Sequence, residues 1–174
     1  MNHTAEQIRI LAVSLSSRGF GYAVMEGNST LILYGKKVFA EDKNVRSLAH
    51  IDKLIAHNQP DVLVIHDVNA NGTHRAPRIK ELHRKVVALA KQHHLKVVKI
   101  SGTELRSKLL GNPRGTKQAM AELLAKQFPD ELTSRLPPKR QPWKSEDARM
   151  DIFAAMALVV TIQLKPAKQI LPNG

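Results

Sequence analysis

Hydrophobic positions along the chain follow two rhythms, short β-branched runs near the start and longer stretches at helical spacing after them. RILAVSL, GFGYAVME and STLILYGKKVF are apolar runs separated by Gly or Asn/Ser breaks, and they predict three strands in a meander. Connections this short imply antiparallel pairing. NVRSLAHIDKLIAHN then places Val45, Leu48, Ile51, Leu54 and Ile55 at helical spacing, and Gln59-Pro60 stops it, so a first helix crosses over the sheet. DVLVIHDV is a nearly continuous apolar run, the pattern of a strand buried on both faces. APRIKELHRKVVALAKQHH carries Ile79, Leu82, Val86, Val87, Leu89 and Ala90 on one broad side, and LKVVKIS follows it, which completes a strand, helix, strand unit. Further helices are predicted in TELRSKLLG, TKQAMAELLAKQF and ARMDIFAAMALVVTIQL. A proline-rich break, RLPPKRQPWKSED, precedes the last of them, and residues 165–174 are expected to fray.

Composition narrows the class. The 174 residues suit one domain with a core large enough to stand without staples. With no cysteine, disulfide frameworks and thiolate metal sites are excluded. The first residues lack an apolar signal region and no apolar run approaches the roughly 20 residues of a membrane helix, so a cytoplasmic protein with no membrane partner is expected. Lys and Arg number 27 against 15 Asp and Glu, a formal net charge of +12 and a pI near 10.2, which points to a polyanionic partner, nucleic acid before any other.

The element order predicts an α/β fold, a mixed five-stranded sheet with three antiparallel strands followed by two parallel ones and helices on its faces. Polar residues end the first and fourth strands and recur on a late helix, an order that resembles the plan of the RNase H-like fold, although periodicity alone leaves several α/β folds open. Four segments, VSLSSRGFGYAV, LVIHDV, RSKLLGNPRGTK and DIFAAMALVV, sharpen this. From Ile10 to about Thr161 the chain resembles the RuvC family of Holliday-junction resolvases.

That resemblance implies a catalytic aspartate at the end of the first strand, where this chain has Ser14. It implies a catalytic glutamate at the end of the fourth strand, where His66 stands with Asp67 next to it. Of the family's two acids three apart on the last helix, Asp151 matches the second; the first falls on Ala148, with Asp147 one position earlier. Residues four apart share a helix face, so Asp147 and Asp151 are expected to converge. The family's two DNA-contacting lysines correspond to Arg106 and Lys117, and its aromatic wedge to Asn69. Mg or Mn as cofactor and a two-fold homodimer are further implications of the resemblance.

Two-metal phosphodiester cleavage needs several carboxylates to offset the repulsion of two dications. Serine brings no charge, and neutral imidazole suits Zn or Mn better than Mg. The candidate catalytic set is therefore Asp151, Asp147, Asp67 and His66, with Ser14 at the position of the lost acid, and the candidate metal ligands are Asp151, Asp147 and His66, with Glu146 close by in sequence. Adjacent strand residues point to opposite faces, so only one of His66 and Asp67 joins such a site. The plainer readings are that Ser14 fills the space of a lost site, that His66 hydrogen-bonds the last helix, and that the acids of SED complement the dipole at that helix's start. Asp151, a turn deeper among apolar residues, is the acid expected in the cleft.

For nucleic acid, GNPRGTK sets Arg114 and Lys117 at a glycine turn leading into a helix, whose free N–H groups favour phosphate. NGTHRAPRIK sets Arg75 and Arg78 beside the end of the fourth strand. PPKRQPWK places Trp143 among Lys139, Arg140 and Lys144, either to stack on a base or to pack the loop onto the body. Three functions stay open: a protein binding duplex or branched DNA with lost or weakened nuclease activity, a divergent metal-dependent endonuclease acting on DNA or RNA, and a protein-interaction scaffold.

Overall fold

The computed structural model describes residues 8–163. The predicted tail, 165–174, lies outside them. β1 (Arg9–Leu15), β2 (Gly19–Glu26) and β3 (Thr30–Val38) form the antiparallel meander, and β4 (Val62–His66) and β5 (Lys96–Ile100) extend the sheet in parallel. The strand order is β3-β2-β1-β4-β5. β1 is thus central, antiparallel to β2 on one side and parallel to β4 on the other. α1 (Lys43–Asn58) links β3 to β4, and α2 (Pro77–Gln92) links β4 to β5. α3 (Gly102–Leu110), α4 (Lys117–Gln127), the short α5 (Pro129–Leu132) with a 3₁₀ turn at Thr133–Arg135, and α6 (Met150–Gln163) complete the described chain.

Alternation along the strands divides the core in two. Leu11, Val13, Leu15, Leu63 and Ile65 point toward α1 and α2, where they meet Ile51, Ile55, Ile79, Leu82 and Val86. Ile10, Ala12, Val62 and Val64 point the other way, toward α3, α4 and α6. Ser14 and His66 continue this second series by the period of two, which brings both to the α6 side of the sheet. Burial of so many complete side chains, at about 25 cal/mol per Å² of apolar surface, is what holds both layers to the sheet.

α6 is apolar all round and buried from Met150 to Ile162 apart from the half-buried Ala154, as a helix enclosed between sheet and other helices must be. It lies close on β2 because Gly21, paired with Ser14, has no side chain: a Cβ there would stand 1.8 Å from the Asp151 carbonyl oxygen.

Three expectations need correction. Val45 has helical spacing but is 71% exposed, because the buried stripe of α1 runs through Ser47, Ile51 and Ile55. α5 and its 3₁₀ turn lie where the pattern marks no element, four and three residues being too short to show a period. SED does not open α6, which begins at Met150 through tight bonds from the Met150, Asp151 and Ile152 amides to the carbonyls three residues before each. No helix among the described residues is long and apolar enough to cross a membrane.

Candidate nucleic-acid interface

The carboxyl ends of the parallel strands β1 and β4 open side by side into a cleft of about 410 Å³, closed by α6 and the starts of α3 and α4. Ser14 and His66 form its floor, where Ser14 Oγ lies 3.1 Å from His66 Nε2. From behind, His83 Nε2 donates to the His66 carbonyl at 3.1 Å. Burial, with Arg75, Lys117 and His83 nearby, pushes His66 down to about 3, so it is a neutral imidazole at physiological pH.

The charged part stands beside this pair. Asp151 is only 3% exposed, and both its oxygens are taken: Oδ2 accepts from Ser16 Oγ at 2.9 Å and Oδ1 from Arg18 Nη2 at 2.7 Å. Arg18 Nη2 also donates to Glu146 Oε1 at 3.1 Å, and Lys117 Nζ holds Glu146 Oε2 at 3.1 Å. Burial alone would raise Glu146, but Lys117 and Arg18 keep it below the usual carboxylate range. Burial also opposes the Arg18 charge, and Asp151 and Glu146 overcome it, raising the guanidinium further. The result is a chain of alternating charge, Asp151, Arg18, Glu146, Lys117, running from the buried start of α6 to the exposed start of α4.

The donor set does not suit a two-metal centre. A neutral hydroxyl and a neutral imidazole occupy the floor, and the one deep carboxylate is already neutralised by a guanidinium. Among the described residues no three of His, Asp and Glu come together as a metal site. Mg and Mn are held by carboxylates with water completing the shell, and the Asp151 and Glu146 carboxylates are already engaged by Arg18 and Lys117.

The fold has clear counterparts among solved structures. RuvC of Thermus thermophilus superimposes with a TM-score of 0.63 at 13% identity, covering 88% of this chain and 92% of that one. The same protein in complex with a Holliday junction substrate gives 0.61 at 13% identity, over 89% and 92%. The yeast mitochondrial Holliday junction resolvase gives 0.59 at 13% identity, over 90% and 78%. The chain has the RuvC-type RNase H-like fold. No family model and no curated protein matches its sequence.

Within the RuvC-type fold the structure brings Ser14, His66, Asp67 and Asp151 to one cleft and leaves Asp147 out. Asp147 precedes α6, so the helical spacing that was to join it to Asp151 does not apply. Its carboxylate turns back on its own loop, accepting from the Arg149 amide at 2.9 Å and from the Arg149 guanidinium at 2.7 and 3.0 Å. Those bonds hold it down to about 2. Asp67, one residue past β4, caps the following turn by accepting from the Asn69 amide at 3.0 Å. His66 bonds to Ser14 on β1 rather than to the last helix.

Of the basic candidates, Arg75, Arg106 and Lys117 line the cleft. Arg75 is steadied by the Leu15 carbonyl at 3.2 Å and Arg106 by the Pro113 carbonyl at 2.7 Å. Arg114 is exposed on the turn before α4, whose Thr116 caps the helix by accepting from the Ala119 amide. Arg78 serves the fold instead: it bonds Asn44 Oδ1 at 2.7 Å and the Ser17 carbonyl at 3.2 Å, tying the β1–β2 turn to α1 and α2. Lys139 and Arg140 line a second hollow at the start of α4. Trp143 is 78% exposed, so it does not pack the loop onto the body.

Sequence reasoning missed Arg18, Ser16 and His83. A signal for Arg18 was present, since a buried aspartate at the start of an apolar helix requires a cation, and SSRG supplies one arginine in an otherwise small-residue turn.

Proposed function

We propose that the protein binds nucleic acid, duplex or branched DNA foremost, through phosphate contacts in this cleft, and that it does so without a metal ion, nuclease chemistry being lost or much weakened. The observation that carries this is Arg18, whose guanidinium stands between the Asp151 and Glu146 carboxylates and, with Lys117 on the far side of Glu146, supplies from the chain the positive charge that two such acids require. With those acids neutralised by Arg18 and Lys117, Arg75, Arg106 and Arg114 face a phosphate backbone with little opposing charge. The Holliday junction seen with the Thermus protein shows that another chain of this fold takes branched DNA, and the +12 net charge suits the same class of ligand.

Titration of duplex and four-way branched DNA at rising salt tests the reading. Engagement of those three cations gives a log-log slope of about −2.7, at about −0.9 per neutralised phosphate. Arg106→Glu with Arg114→Glu weakens binding without sequence dependence, and EDTA leaves it unchanged. Absence of binding at low salt sinks the reading. Cleavage in Mg or Mn that disappears with Asp151→Asn would assign a metal-dependent nuclease in its place.

A further inference from the structure

An indole is costly to leave in water, and Trp143 is held there by its surroundings. The Lys144 amide donates to the Gln141 carbonyl at 3.0 Å, closing a β-turn with Pro142 and Trp143 at its centre. Pro142 presets the backbone of that turn. Arg140 Nε reaches across to the Lys144 carbonyl at 2.7 Å, a second tie over the same four residues. Pro137 and Pro138 stiffen the approach. The indole is thus presented on a pre-shaped turn, flanked by Lys139, Arg140 and Lys144, and the loop continues within three residues to Glu146 in the wall of the cleft.

We infer that Trp143 is a stacking platform for an unpaired nucleobase, so that the protein prefers nucleic acid in which single-stranded nucleotides adjoin duplex held in the cleft. This rests on the nucleic-acid reading of the cleft and goes beyond it. Phosphate contacts alone do not distinguish paired from unpaired strands, whereas a flat aromatic face takes any base that has left its stack. The three cations near Trp143 in sequence supply positive charge for the phosphates next to such a base, and an immobilised turn spares the ordering cost that a mobile loop would bring to binding. A base in duplex is already stacked on both faces and offers nothing to the indole.

Trp143 is the single tryptophan of the sequence, which makes its fluorescence a direct readout. Oligothymidylate, a blunt duplex and the same duplex with a single-stranded overhang are titrated at low salt. Oligothymidylate and the overhang duplex are expected to quench the emission, and the blunt duplex to bind with little change. Trp143→Ala is expected to weaken the first two about tenfold while leaving the blunt duplex unaffected, and Trp143→Phe to keep most of the difference. If Trp143→Ala changes all three alike, or none, while blunt duplex still binds, the stacking role is overturned and the phosphate cleft stands. Quenching by oligothymidylate without blunt-duplex binding supports the stacking role and removes the duplex preference. If none of the three binds, both ideas fall together. Loss of self-association in Trp143→Ala with unchanged DNA affinity reassigns the residue to a protein contact.

Discussion

Acidification from neutral pH to about pH 4 is expected to remove about 3 kcal/mol of stability, most of it through His66. In the folded protein this imidazole is held to about 3, against 6.5 for the free side chain, by burial and by the positive charges of Arg75, Lys117 and His83. Between those two values the unfolded chain binds a proton that the folded chain refuses. The unfolded state is therefore favoured as pH falls from 6.5, and stability rises with pH across that window. His83, lowered by its own burial, adds a contribution of the same sign. Glu146 and Asp147, both held down by cations, contribute only at lower pH, below the ordinary carboxylate values. Urea unfolding at several pH values checks this. His66→Gln, whose amide can still reach Ser14, is expected to flatten the profile between about pH 4 and 6.5, and parallel profiles for the two proteins would show that His66 is not the source.

Arg18→Ala is expected to cost about 3 kcal/mol, because it leaves the buried Asp151 carboxylate with a serine hydroxyl as its only side-chain partner and removes one of two cations from Glu146. The guanidinium is 24% exposed, and water screens part of the loss, which places the figure at the low end for a broken buried pair. The double variant Arg18→Ala, Asp151→Asn is expected to lose less than the sum of the single changes by more than about 1 kcal/mol, since both act on one contact. Arg18→Ala is expected to show a larger rise in melting temperature than the parent on adding Mn or Mg, as a free cation takes up the position between the two acids. Additive single variants would mean that Arg18 and Asp151 stabilise the fold independently. An equal response of parent and variant to Mn would mean that the guanidinium does not stand in for an ion.

The strands and long helices were legible because each has a single dominant period. β1 and β4 show the β-branched runs of buried strands, and Ile79, Leu82, Val86 and Ala90 mark the inner face of α2 directly. Ser14 and His66 were marked as strand ends by the family resemblance, but their bond to each other was not, since it follows from the pairing of Val13 with Ile65 one residue earlier on adjacent parallel strands. The arrangement around Asp151 was not legible either. Whether Asp147 joins it depends on where α6 begins, and an Asx turn onto Arg149 settles that locally in a way that helical spacing cannot show. Arg18 pairs with residues 128 and 133 positions away, and only the packing of α6 on β2 across Gly21 brings them together. Trp143 was ambiguous because proline-rich loops both pack and present aromatic residues, and only its exposure in the folded chain separates the two.

The enclosure of α6 bears on how the chain acquires its fold as it is made. Synthesis delivers the whole sheet first, and the face formed by Ile10, Ala12, Ala23, Met25 and Val64 has to wait for residues 150–163 to cover it. The contacts that close it join the two ends of the described chain, so they form late and pass through a long loop closure. During that interval the nascent protein carries a broad, bare apolar surface, the form in which chains are most prone to associate with one another or to be held by chaperones. A ribosome stalled before Met150 would therefore expose a sticky intermediate, and release of α6 is the step that covers that surface.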